Sequence, residues 1–434
     1  MKTIQIGILG IGNVAKGTYQ TLELNRKRIE ASTGASLSIA KILNRSPEKD
    51  RGIDIPKEVY VTDPYAILHD PDIDIVVELI GGIEPATQYM AEALRSGKHV
   101  VTANKAALAA NGRFLQSLAQ ENHVMLRFEA SVGGGIPIIN AITTSLLSND
   151  FDEILGILNG TTNYILTQMT DNGLSYDAVL KDAQAKGLAE TDPTADVEGI
   201  DVANKLAILL SLIFGVEIAP GDIPTHGITS VTTEDINYAT EFGYKIKLIA
   251  SARKHGEKFS CDVEPTLVPF AHPLAAVSNE FNAIYLTGNA VDDLMFYGKG
   301  AGPLPTGSAV MGDIISIARR IEKESAYDLL PLLRYDEELS CIGEGSNRYY
   351  IRLSAVDRPG VLGNISSTFG RYGIGIASMV QRAESSEDMN TVPLIFIVYQ
   401  VERDVLNQAL QELVDKEYVE EIGSVLKVHR PNHP

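Results

Sequence analysis

The sequence is poor in cysteine and has no long uninterrupted run of apolar residues. Its two cysteines, Cys261 and Cys341, are too few and too far apart in the chain for a disulfide scaffold or a zinc site, so we expect each to be a buried, small apolar residue. The longest apolar stretches, such as 207–216, are too short to span a bilayer. Residues 1–3 lead directly into a predicted strand without the pattern of a secretion signal. These absences predict a cytoplasmic protein with no membrane partner.

Basic residues are also scarce relative to acidic ones, with 37 Lys and Arg against 56 Asp and Glu and a net charge of −19. This charge argues against nucleic acid or an anionic membrane as a partner, because both are negatively charged. Small anionic ligands are not excluded, since they need only a local positive field. With 434 residues the chain is too long for one hydrophobic core, and two or three domains are expected.

From residue 1 to about 130 the chain alternates regularly between apolar strands and helices. The predicted strands are 4–9, 38–43, 73–80, 99–103 and 124–129, and the predicted helices between them are 14–29, 84–96 and 106–122. This alternation indicates an α/β domain with a parallel, doubly wound Rossmann-type sheet. Lys105 follows the carboxyl end of the strand 99–103, which is the edge at which such sheets bind ligands.

The first strand runs directly into Gly10-Ile11-Gly12-Asn13-Val14-Ala15, which matches the G-x-G-x-x-A pattern of dinucleotide-binding turns. Gly10 would permit the tight turn and Gly12 a close approach of the backbone to a pyrophosphate, while the start of the next helix faces the phosphate charge. We expect five residues to contact the cofactor: Gly10, Ile11, Gly12, Asn13 and Val14. The alternative is an ordinary glycine-rich turn between a strand and a helix.

The pattern changes at residue 131. Up to about residue 335, glycine-rich turns alternate with helical runs such as 202–214 and strands such as 260–269, which indicates a mixed α+β domain. Parts of 300–335 are expected to complete the N-terminal domain. From 348 to 430 the predicted order is strand, helix, strand, strand, helix, strand, which is the ferredoxin-like unit. The acidic segment 336–347 is the expected boundary.

The stretch 187–205 combines several carboxylates with a lysine. Asp201 and Lys205 are four residues apart on a predicted helix that starts near Val197, so they share one helical face. An exposed ion pair is the alternative, but the apolar run 206–214 that follows indicates a buried helix. A lysine beside carboxylates at the head of a buried helix is a candidate for proton transfer or carboxylate binding.

Two lysines and two carboxylates would suit a small zwitterionic substrate with an oxygen that changes charge. Hydride transfer to an aldehyde builds negative charge on the carbonyl oxygen, so a cation or an acid must lie there. The candidates for this set are Lys105, Lys205, Glu190 and Asp201. The spacing alone does not show that the two lysines converge.

Two further stretches indicate contacts with a ligand. The polar turn 159–163 precedes a predicted helix and could hold an oxygen anion, although an N-cap by Thr161 or Thr162 explains it equally well. The glycine–proline loop 298–306 precedes a predicted helix at 309–322. Its glycines would let the backbone approach a flat group such as a nicotinamide.

With these stretches in place, the whole chain resembles the monofunctional homoserine dehydrogenases that carry a C-terminal ACT domain. The resemblance is carried by 10–15, 103–105, 129–137, 159–165, 187–193, 201–205, 272–274 and 298–306. It implies the NAD(P)H-dependent interconversion of L-aspartate 4-semialdehyde and L-homoserine, in the biosynthesis of threonine, methionine and isoleucine.

The resemblance also implies a role for individual residues. Lys205 would be the proton donor and acceptor at the reacting oxygen, and Lys105 a second lysine on the substrate and cofactor side. Glu190 and Asp201 would be substrate ligands, Glu190 near the amino group. The substrate pocket would be lined by Gly160 and Thr161, and the cofactor would also contact Gly302.

A monovalent cation site and a regulatory site are implied in the same way. Sodium would bind, mostly through backbone carbonyls, to Glu129, Val132, Gly134 and Ile136. The ACT domain would bind an amino-acid effector, with L-threonine the first candidate, through Asp357, Gly360 and Asn364. Such domains bind amino acids at a dimer interface, so a homodimer or homotetramer is expected. The alternative is that the ACT domain only dimerises the chain.

The choice between NADP and NAD depends on the end of the second strand. An NAD site usually places an acidic residue there for the ribose 2′-hydroxyl. This sequence has Asn44-Arg45, with Lys49 and Lys57 downstream, and such cations would favour the 2′-phosphate of NADP. An exposed basic loop without a cofactor role is the alternative.

Two other functions share parts of this pattern. A 2-hydroxy-acid or phosphoglycerate-type dehydrogenase would use a histidine relay, but His272, in His272-Pro273-Leu274, is better explained as part of a structural turn. A ligand-sensing regulator with an inactive dehydrogenase core would be expected to lack Lys105 or Lys205, and both are present. The sequence therefore favours an active enzyme.

Overall fold

The structure is a computed structural model that describes residues 2–46, 52–323, 339–381 and 391–429. The chain divides into two compact units. The first contains Met1–Asp152, Asn204–Asp222 and Asn282–Leu339, and the second contains Glu153–Ala203, Ile223–Phe281 and Ser340–Pro434. The chain passes more than once between the units, and the segment 131–335, which we expected to form one domain, contributes to both.

The described residues contain 16 strands and 13 α-helices. The strands are β1 (Thr3–Leu9), β2 (Ser36–Leu43), β3 (Tyr60–Val61), β4 (Ile75–Glu78), β5 (His99–Thr102), β6 (Leu126–Arg127), β7 (Phe151–Ile157), β8 (Tyr244–His255), β9 (Lys258–Pro269), β10 (Phe281–Gly288), β11 (Asp292–Lys299), β12 (Ser340–Cys341), β13 (Ser346–Val356), β14 (Ile376–Gln381), β15 (Thr391–Glu402) and β16 (Val419–Val428). The α-helices are α1 (Asn13–Thr33), α2 (Tyr65–Leu68), α3 (Ala86–Arg95), α4 (Lys105–Glu121), α5 (Ile138–Asn140), α6 (Gly160–Asn172), α7 (Tyr176–Ala185), α8 (Thr194–Val197), α9 (Ile200–Ile213), α10 (Thr233–Glu241), α11 (Pro303–Lys323), α12 (Val361–Arg371) and α13 (Arg403–Val414).

A six-stranded parallel sheet organises the first unit. Its strand order is β3-β2-β1-β4-β5-β6, and every pair in it is parallel. The order reverses between β1 and β4, which makes the sheet doubly wound and places its ligand-binding crevice at the carboxyl ends of these two strands. The predicted α/β architecture with a Rossmann-type sheet is confirmed.

Several boundaries differ from those predicted. The short elements β3 and α2 were not predicted, because two and four residues are too few to show a hydrophobic period. The strand predicted at 124–129 is only β6, since Glu129–Ser131 form a 3-10 turn. Glu129 turns inward there, and its carboxylate accepts the N–H groups of Ile139 and Asn140 at the start of α5.

Helix α11 packs against α1 across two glycines. A Cβ on Gly17 would lie 1.8 Å from the carbonyl oxygen of Pro303, and one on Gly307 would lie 2.3 Å from the backbone of Gly17. The backbones of the two helices therefore touch, which only glycine permits. Residues 303–306, which we expected in a loop, form the first turn of α11, and Pro303 occupies a position where a missing N–H costs nothing.

The second unit contains a continuous sheet. Its order is β7-β8-β9-β16-β13-β15-β14, with antiparallel pairs except for the parallel pair of β9 and β16, in which Lys427 is opposite Thr266 and Val428 opposite Leu267. The segment β13-α12-β14-β15-α13-β16 has the predicted ferredoxin-like order, which is thereby confirmed. Residues 336–338 of the predicted boundary lie outside the described residues.

Asp235, at the N-terminus of α10, binds the C-terminal strands to the rest of this unit. It is fully buried and accepts hydrogen bonds from Arg352 Nε at 2.7 Å, the Ser424 hydroxyl at 2.7 Å and the Tyr350 hydroxyl at 3.1 Å. Burial alone would raise its pKa, but the Arg352 guanidinium and the hydroxyl donors outweigh it and hold the pKa of Asp235 below its usual value. The carboxylate is thus charged, and its charge is compensated by Arg352.

The cysteines depart from the expectation of two buried apolar residues. Cys261, on β9, is fully buried, but Cys341, on β12, is exposed. Strand β12 pairs in parallel with the start of β9 and brings the two thiols to 3.6 Å. This proximity depends on a pairing between distant segments that no local pattern indicates.

Candidate active site

The dinucleotide turn follows β1 at the point where the order of the first unit's sheet reverses. Gly10 has a φ of 104°, and a Cβ there would lie 2.9 Å from the Leu79 carbonyl oxygen, so only glycine fits. Gly12 is the N-cap of α1 and supplies no side-chain cap, and a Cβ on it would meet nothing within 4 Å. The turn therefore offers open space at a helix N-terminus, which fits a pyrophosphate.

The neighbouring strand end carries the predicted cofactor-selecting residue. Arg45 is exposed immediately after β2, while the preceding Asn44 is buried and its N–H donates to the Val61 carbonyl at 2.8 Å. This bond with β3 fixes the backbone from which Arg45 projects. Lys57 is exposed in a short 3-10 turn, and Lys49 lies outside the described residues.

Lys105 is the first residue of α4 and is half-buried. The Asn104 side chain caps the helix by accepting the Ala107 N–H at 3.1 Å, and the Asn104 N–H donates to the Thr102 hydroxyl oxygen at 2.9 Å. The Thr102 hydroxyl in turn donates to the buried carboxylate of Glu78 at 2.7 Å. This chain of bonds holds the carboxyl ends of β4 and β5 in register and fixes where α4 and Lys105 begin.

Asp201 and Lys205 are both buried and lie one turn apart on α9, with exposures of 5% and 8%. The helix begins at Ile200 instead of Val197, because Gly199 has a φ of 81° and separates it from α8. The Asn159 side chain donates to Asp201 Oδ2 at 3.0 Å. The pair is thus not the exposed ion pair that we weighed as the alternative.

The turn 159–163 is the start of a helix. Asn159 is the N-cap of α6, since its Oδ1 accepts the Thr162 N–H at 2.9 Å, so the proposed cap by Thr161 or Thr162 is wrong. Gly160 is the first helical residue, and a Cβ there would lie 2.8 Å from the Glu280 carbonyl oxygen. The buried Thr161 hydroxyl donates to the Leu188 carbonyl at 2.7 Å, which binds the loop that precedes Glu190 to this helix.

A buried lysine that the sequence did not single out supports this helix start. Lys247, on β8, donates from Nζ to Asn163 Oδ1 at 3.0 Å and to the Val277 carbonyl at 2.6 Å. Burial, with a smaller contribution from the charge of Lys245, lowers the pKa of Lys247 to about 7. Lys245 and Lys247 are two residues apart on the strand, so the sequence predicts that their side chains lie on the same face of the sheet. It does not show that Lys247 is buried on that face.

Glu190 lies in the loop between α7 and α8 with an exposed side chain. Its carbonyl oxygen accepts a hydrogen bond from the Gln184 side chain at 3.1 Å, and Gln184 also reaches the Thr191 carbonyl at 3.3 Å. The loop backbone is therefore held by α7, while the Glu190 carboxylate remains accessible to a ligand.

The predicted cation segment 129–136 is a sharply turned stretch of backbone. Gly133 and Gly134 have φ values of 71° and 57°, and a Cβ on Gly134 would lie 2.3 Å from the Gly300 carbonyl oxygen. The Gly135 N–H donates to the Lys299 carbonyl at 3.1 Å. This segment and the glycine loop that contains Gly302, with its φ of 119°, thus lie together in the first unit.

Buried carboxylates surround the start of this segment. The Glu129 N–H donates to Asp313 Oδ2 at 2.8 Å, while the Glu129 carboxylate accepts two N–H groups of α5. Burial, reinforced by the charge of Glu129, raises the pKa of Asp313 to about 8. The Glu129 carboxylate already accepts two N–H groups, and the side chains of Val132 and Ile136 contain no oxygen. The candidate oxygens for an ion are therefore backbone carbonyls.

The predicted effector loop joins β13 to α12. Gly360 is the N-cap of α12 with a φ of 91°, and it provides no side-chain cap. Asp357 and Asn364 are exposed on either side of it, and the Asn364 N–H donates to the Gly360 carbonyl at 3.0 Å. The three residues lie on one loop and the first turn of one helix, where exposed N–H groups suit a carboxylate.

Comparison with known proteins decides the family. Residues 10–129 match the family model described as homoserine dehydrogenase, NAD binding domain, residues 137–315 match homoserine dehydrogenase, and residues 349–417 match the ACT domain. The chain is 38% identical to a homoserine dehydrogenase of Bacillus subtilis over 428 residues, which cover 99% of each chain. The chain belongs to the homoserine dehydrogenase family. Family membership makes it an NAD(P)-dependent oxidoreductase with an ACT domain, as the resemblance implied.

Solved structures of the homoserine dehydrogenase family have the same fold. The crystal structure of a homoserine dehydrogenase from Thiobacillus denitrificans is similar with a TM-score of 0.92 and 37% identity, over 99% of both chains. A hyperthermophilic archaeal homoserine dehydrogenase in complex with NADPH is similar with a TM-score of 0.62 and 27% identity, over 73% of this chain and 97% of that one. Within the described residues, no helix is both long and apolar enough to cross a membrane.

Proposed function

We propose that this chain interconverts L-aspartate 4-semialdehyde and L-homoserine with Lys205 as the acid and base at the reacting oxygen. The nicotinamide cofactor supplies and accepts the hydride when it is bound. In the reducing direction, the Lys205 ammonium donates a proton to the aldehyde oxygen as negative charge develops there, and in the oxidising direction the amine takes the proton back. The observation that carries this proposal is the burial of Lys205 one turn after Asp201 on α9.

Asp201 and Glu190 are the proposed substrate ligands. The Asn159 amide donates to Asp201 and also to Asp196 Oδ1 at 2.7 Å, so the Asp201 carboxylate is held in a fixed orientation at the head of α9. A carboxylate fixed in this way can bind the substrate without losing further side-chain entropy. The exposed Glu190 carboxylate is suited to the substrate ammonium group, and Gly160 and Thr161 are proposed to line the pocket.

Lys105 is the proposed second lysine of the site. Helices α4 and α9 face each other in the first unit, because Leu108 and Gly112 line the same small cavity as Ala207 and Ser211. Lys105 lies three residues before Leu108 on α4, and Lys205 lies two residues before Ala207 on α9, so each lysine is within one turn of the cavity lining. This arrangement supports a role for both lysines in one site.

NADP is the proposed cofactor, in preference to NAD. The turn 10–14 has room for a pyrophosphate, and Arg45 follows β2 where the adenosine ribose of a dinucleotide usually lies. A guanidinium at this position would pair with the 2′-phosphate. The neighbour that was solved with NADPH adds support.

Sodium is the proposed occupant of the segment 129–136. Its donors would be backbone carbonyls of Glu129, Val132, Gly134 and Ile136, since oxygen ligands suit a hard cation. The Glu129 carboxylate already accepts two N–H groups, so this residue would contribute its carbonyl. A higher unfolding temperature in sodium chloride than in tetramethylammonium chloride at equal ionic strength would support this site, and equal temperatures would contradict it.

An amino-acid effector, with L-threonine the first candidate, is proposed to bind at Asp357, Gly360 and Asn364. The accessible helix N-terminus at Gly360 supports a carboxylate site there. We further propose a homodimer or homotetramer, because the resemblance to ACT domains implies an effector site where two copies of the domain meet. A reducing compartment such as the cytoplasm is proposed because two cysteines are too few for the disulfide scaffolds of oxidising compartments.

Replacement of Lys205 by methionine tests the central assignment. In Lys205→Met we expect kcat to fall by roughly 10²- to 10⁴-fold, as for loss of a general acid, while the fluorescence-detected affinity for NADPH stays within a few-fold of wild type. Lys181→Met, at an exposed lysine on α7, is the matched control and should keep wild-type kcat. A Lys205→Met enzyme with kcat within a few-fold of wild type would refute the proton-transfer role.

A further inference from the structure

The two cysteines lie side by side in the second unit and have no part in the proposed reaction. Their Sγ atoms are 3.6 Å apart although 80 positions separate them in the sequence. A disulfide bond needs a sulfur–sulfur distance of about 2.05 Å. The thiols are therefore short of bonding distance by about 1.5 Å, which small side-chain rotations can supply.

Backbone hydrogen bonds hold this arrangement. Cys341 is opposite Phe259 in the parallel pairing of β12 with β9. The Ile342 N–H donates to the Phe259 carbonyl at 2.9 Å, and the Cys261 N–H donates to the Gly343 carbonyl at 2.9 Å. The two chain segments are thus joined on both sides of the thiols, and the proximity belongs to the fold instead of to one side-chain rotamer.

The two thiols differ in accessibility and in acidity. Cys341 is exposed, while Cys261 is fully buried. The contact with Cys261 and the Gly343 N–H, which lies 3.4 Å from Cys341 Sγ, lowers the pKa of Cys341 to about 6 against the opposing effect of burial. The same contact and burial raise the pKa of Cys261. An accessible thiolate beside a protonated thiol is the arrangement of an attacking and a resolving cysteine.

We propose that Cys261 and Cys341 are a peroxide-reactive pair that closes to a reversible intramolecular disulfide. The Cys341 thiolate attacks one oxygen of hydrogen peroxide, so that an S–O bond forms, the O–O bond breaks and hydroxide leaves to be protonated by solvent. The Cys261 sulfur then attacks the Cys341 sulfur, so that the S–S bond forms, the S–O bond breaks and hydroxide leaves with the Cys261 proton as water. The thiols lose two electrons and the peroxide gains them.

The bond would form where the ACT strands begin. Residues 340–345 lead directly into β13, and Glu344 in this segment is held by His226 at 3.1 Å and by Arg403 at 3.7 Å. A disulfide would add a covalent link between this segment and β9. A thiol reductant, which attacks one of the two sulfurs and leaves a dithiol, would reverse it.

Intact mass spectrometry of the full chain tests the proposal. The reduced protein is treated with hydrogen peroxide, denatured in N-ethylmaleimide and weighed, and because the chain has two cysteines every adduct reports on this pair. We expect two adducts before peroxide, and after it no adducts and a mass about 2 Da below that of the unmodified reduced chain. Dithiothreitol should restore both adducts.

Single substitutions assign the two roles. In Cys261→Ser the sulfenic acid on Cys341 should be trapped by dimedone, whereas in Cys341→Ser the buried Cys261 should keep its N-ethylmaleimide adduct at the same peroxide dose. Both variants should oxidise homoserine at the wild-type rate before treatment. Two adducts remaining on the peroxide-treated wild type, oxygen adducts with no disulfide, or a disulfide-linked dimer on a non-reducing gel would each overturn the proposal. The first of these results would mean that the 3.6 Å contact is only a weak S–H···S hydrogen bond.

Discussion

Gly12→Ala should separate cofactor binding from folding. The φ of −81° at Gly12 suits alanine, and the added methyl group would meet no atom within 4 Å. Alanine reduces the conformational freedom of the unfolded chain, which stabilises the folded variant, but alanine is a poorer N-cap than glycine, which destabilises it. Each effect changes the free energy of unfolding by less than about 1 kcal/mol. The free energy of unfolding without cofactor should therefore change by no more than about 1 kcal/mol.

The affinity for the dinucleotide should decrease, because the methyl group would enter the space proposed for the pyrophosphate. Inserting one carbon into a filled contact costs about 1–3 kcal/mol, which corresponds to a roughly 5- to 150-fold weaker Kd for NADPH. Two other glycines provide controls. Gly312→Ala, in open space on α11, should leave the Kd unchanged, whereas Gly17→Ala should destabilise the fold by about 3 kcal/mol or more because its Cβ would lie 1.8 Å from Pro303.

The assay is NADPH fluorescence titration beside urea unfolding of the same preparations. A Gly12→Ala protein that binds NADPH with the wild-type Kd would show that the open space beside Gly12 does not receive the pyrophosphate. A Gly12→Ala protein that unfolds as easily as Gly17→Ala would instead show that the turn is closely packed.

Further predictions concern cofactor selectivity, stability and the dependence of stability on pH. Arg45→Asp should lower kcat/KM for NADP by roughly 10- to 150-fold through loss of a charged hydrogen bond and raise it for NAD, and an unchanged ratio in parallel assays would show that Arg45 does not contact the 2′-phosphate. Asp235→Asn should cost about 1.5–3 kcal/mol in urea unfolding at pH 7, because three donors lose a charged, buried acceptor while Arg352 keeps its ion pair with Glu234 at 3.1 Å. A loss below about 1 kcal/mol would contradict this. Because the folded pKa of Asp235 is depressed, its stabilising effect should be present above about pH 4 and be lost as the pH falls further. Lys247→Met removes a lysine whose folded pKa is about 7, so the wild type should gain stability relative to the variant between pH 7 and 10, because in this range the unfolded chain binds a proton that the folded chain does not. A pH-independent difference in Tm would mean that Lys247 titrates normally.

The parts of the fold that depend on neighbouring residues could be predicted from the sequence. The strand–turn–helix at Gly10 and Gly12 and the order of β13 to β16 with their helices follow from local hydrophobic periods and turn residues. The burial of Asp201 and Lys205 was also predictable, because the apolar run behind them marks α9 as a buried helix.

Contacts between distant segments could not be predicted. The pairing of β9 with β16, the packing of α11 on Gly17 and the approach of Cys341 to Cys261 each join residues far apart in the chain. The local sequence pattern of each segment shows that it needs a partner, but several other strands or helices of the chain could be that partner. Asp235 and Lys247 show the same limit, since only their partners from other elements distinguish them from ordinary surface charges.

The boundary errors have a chemical cause. The chain leaves the extended conformation after β6 because the Glu129 carboxylate is used to cap α5 ten residues later. Likewise, α6 begins at Gly160 because Asn159, and neither threonine, provides the cap. In both cases the hydrogen bonds of a single side chain decide among alternatives that local propensity leaves nearly equal.

The most direct test of the account is homoserine-dependent reduction of the cofactor, followed by absorbance of the reduced nicotinamide. Purified full-length protein is supplied with sodium and L-homoserine, with NADP and NAD in parallel and with and without L-threonine. The account predicts turnover with a preference for NADP, and its loss in Lys205→Met. No turnover with either cofactor, in protein shown to be folded, would contradict the account and favour a ligand-sensing regulator with an inactive core.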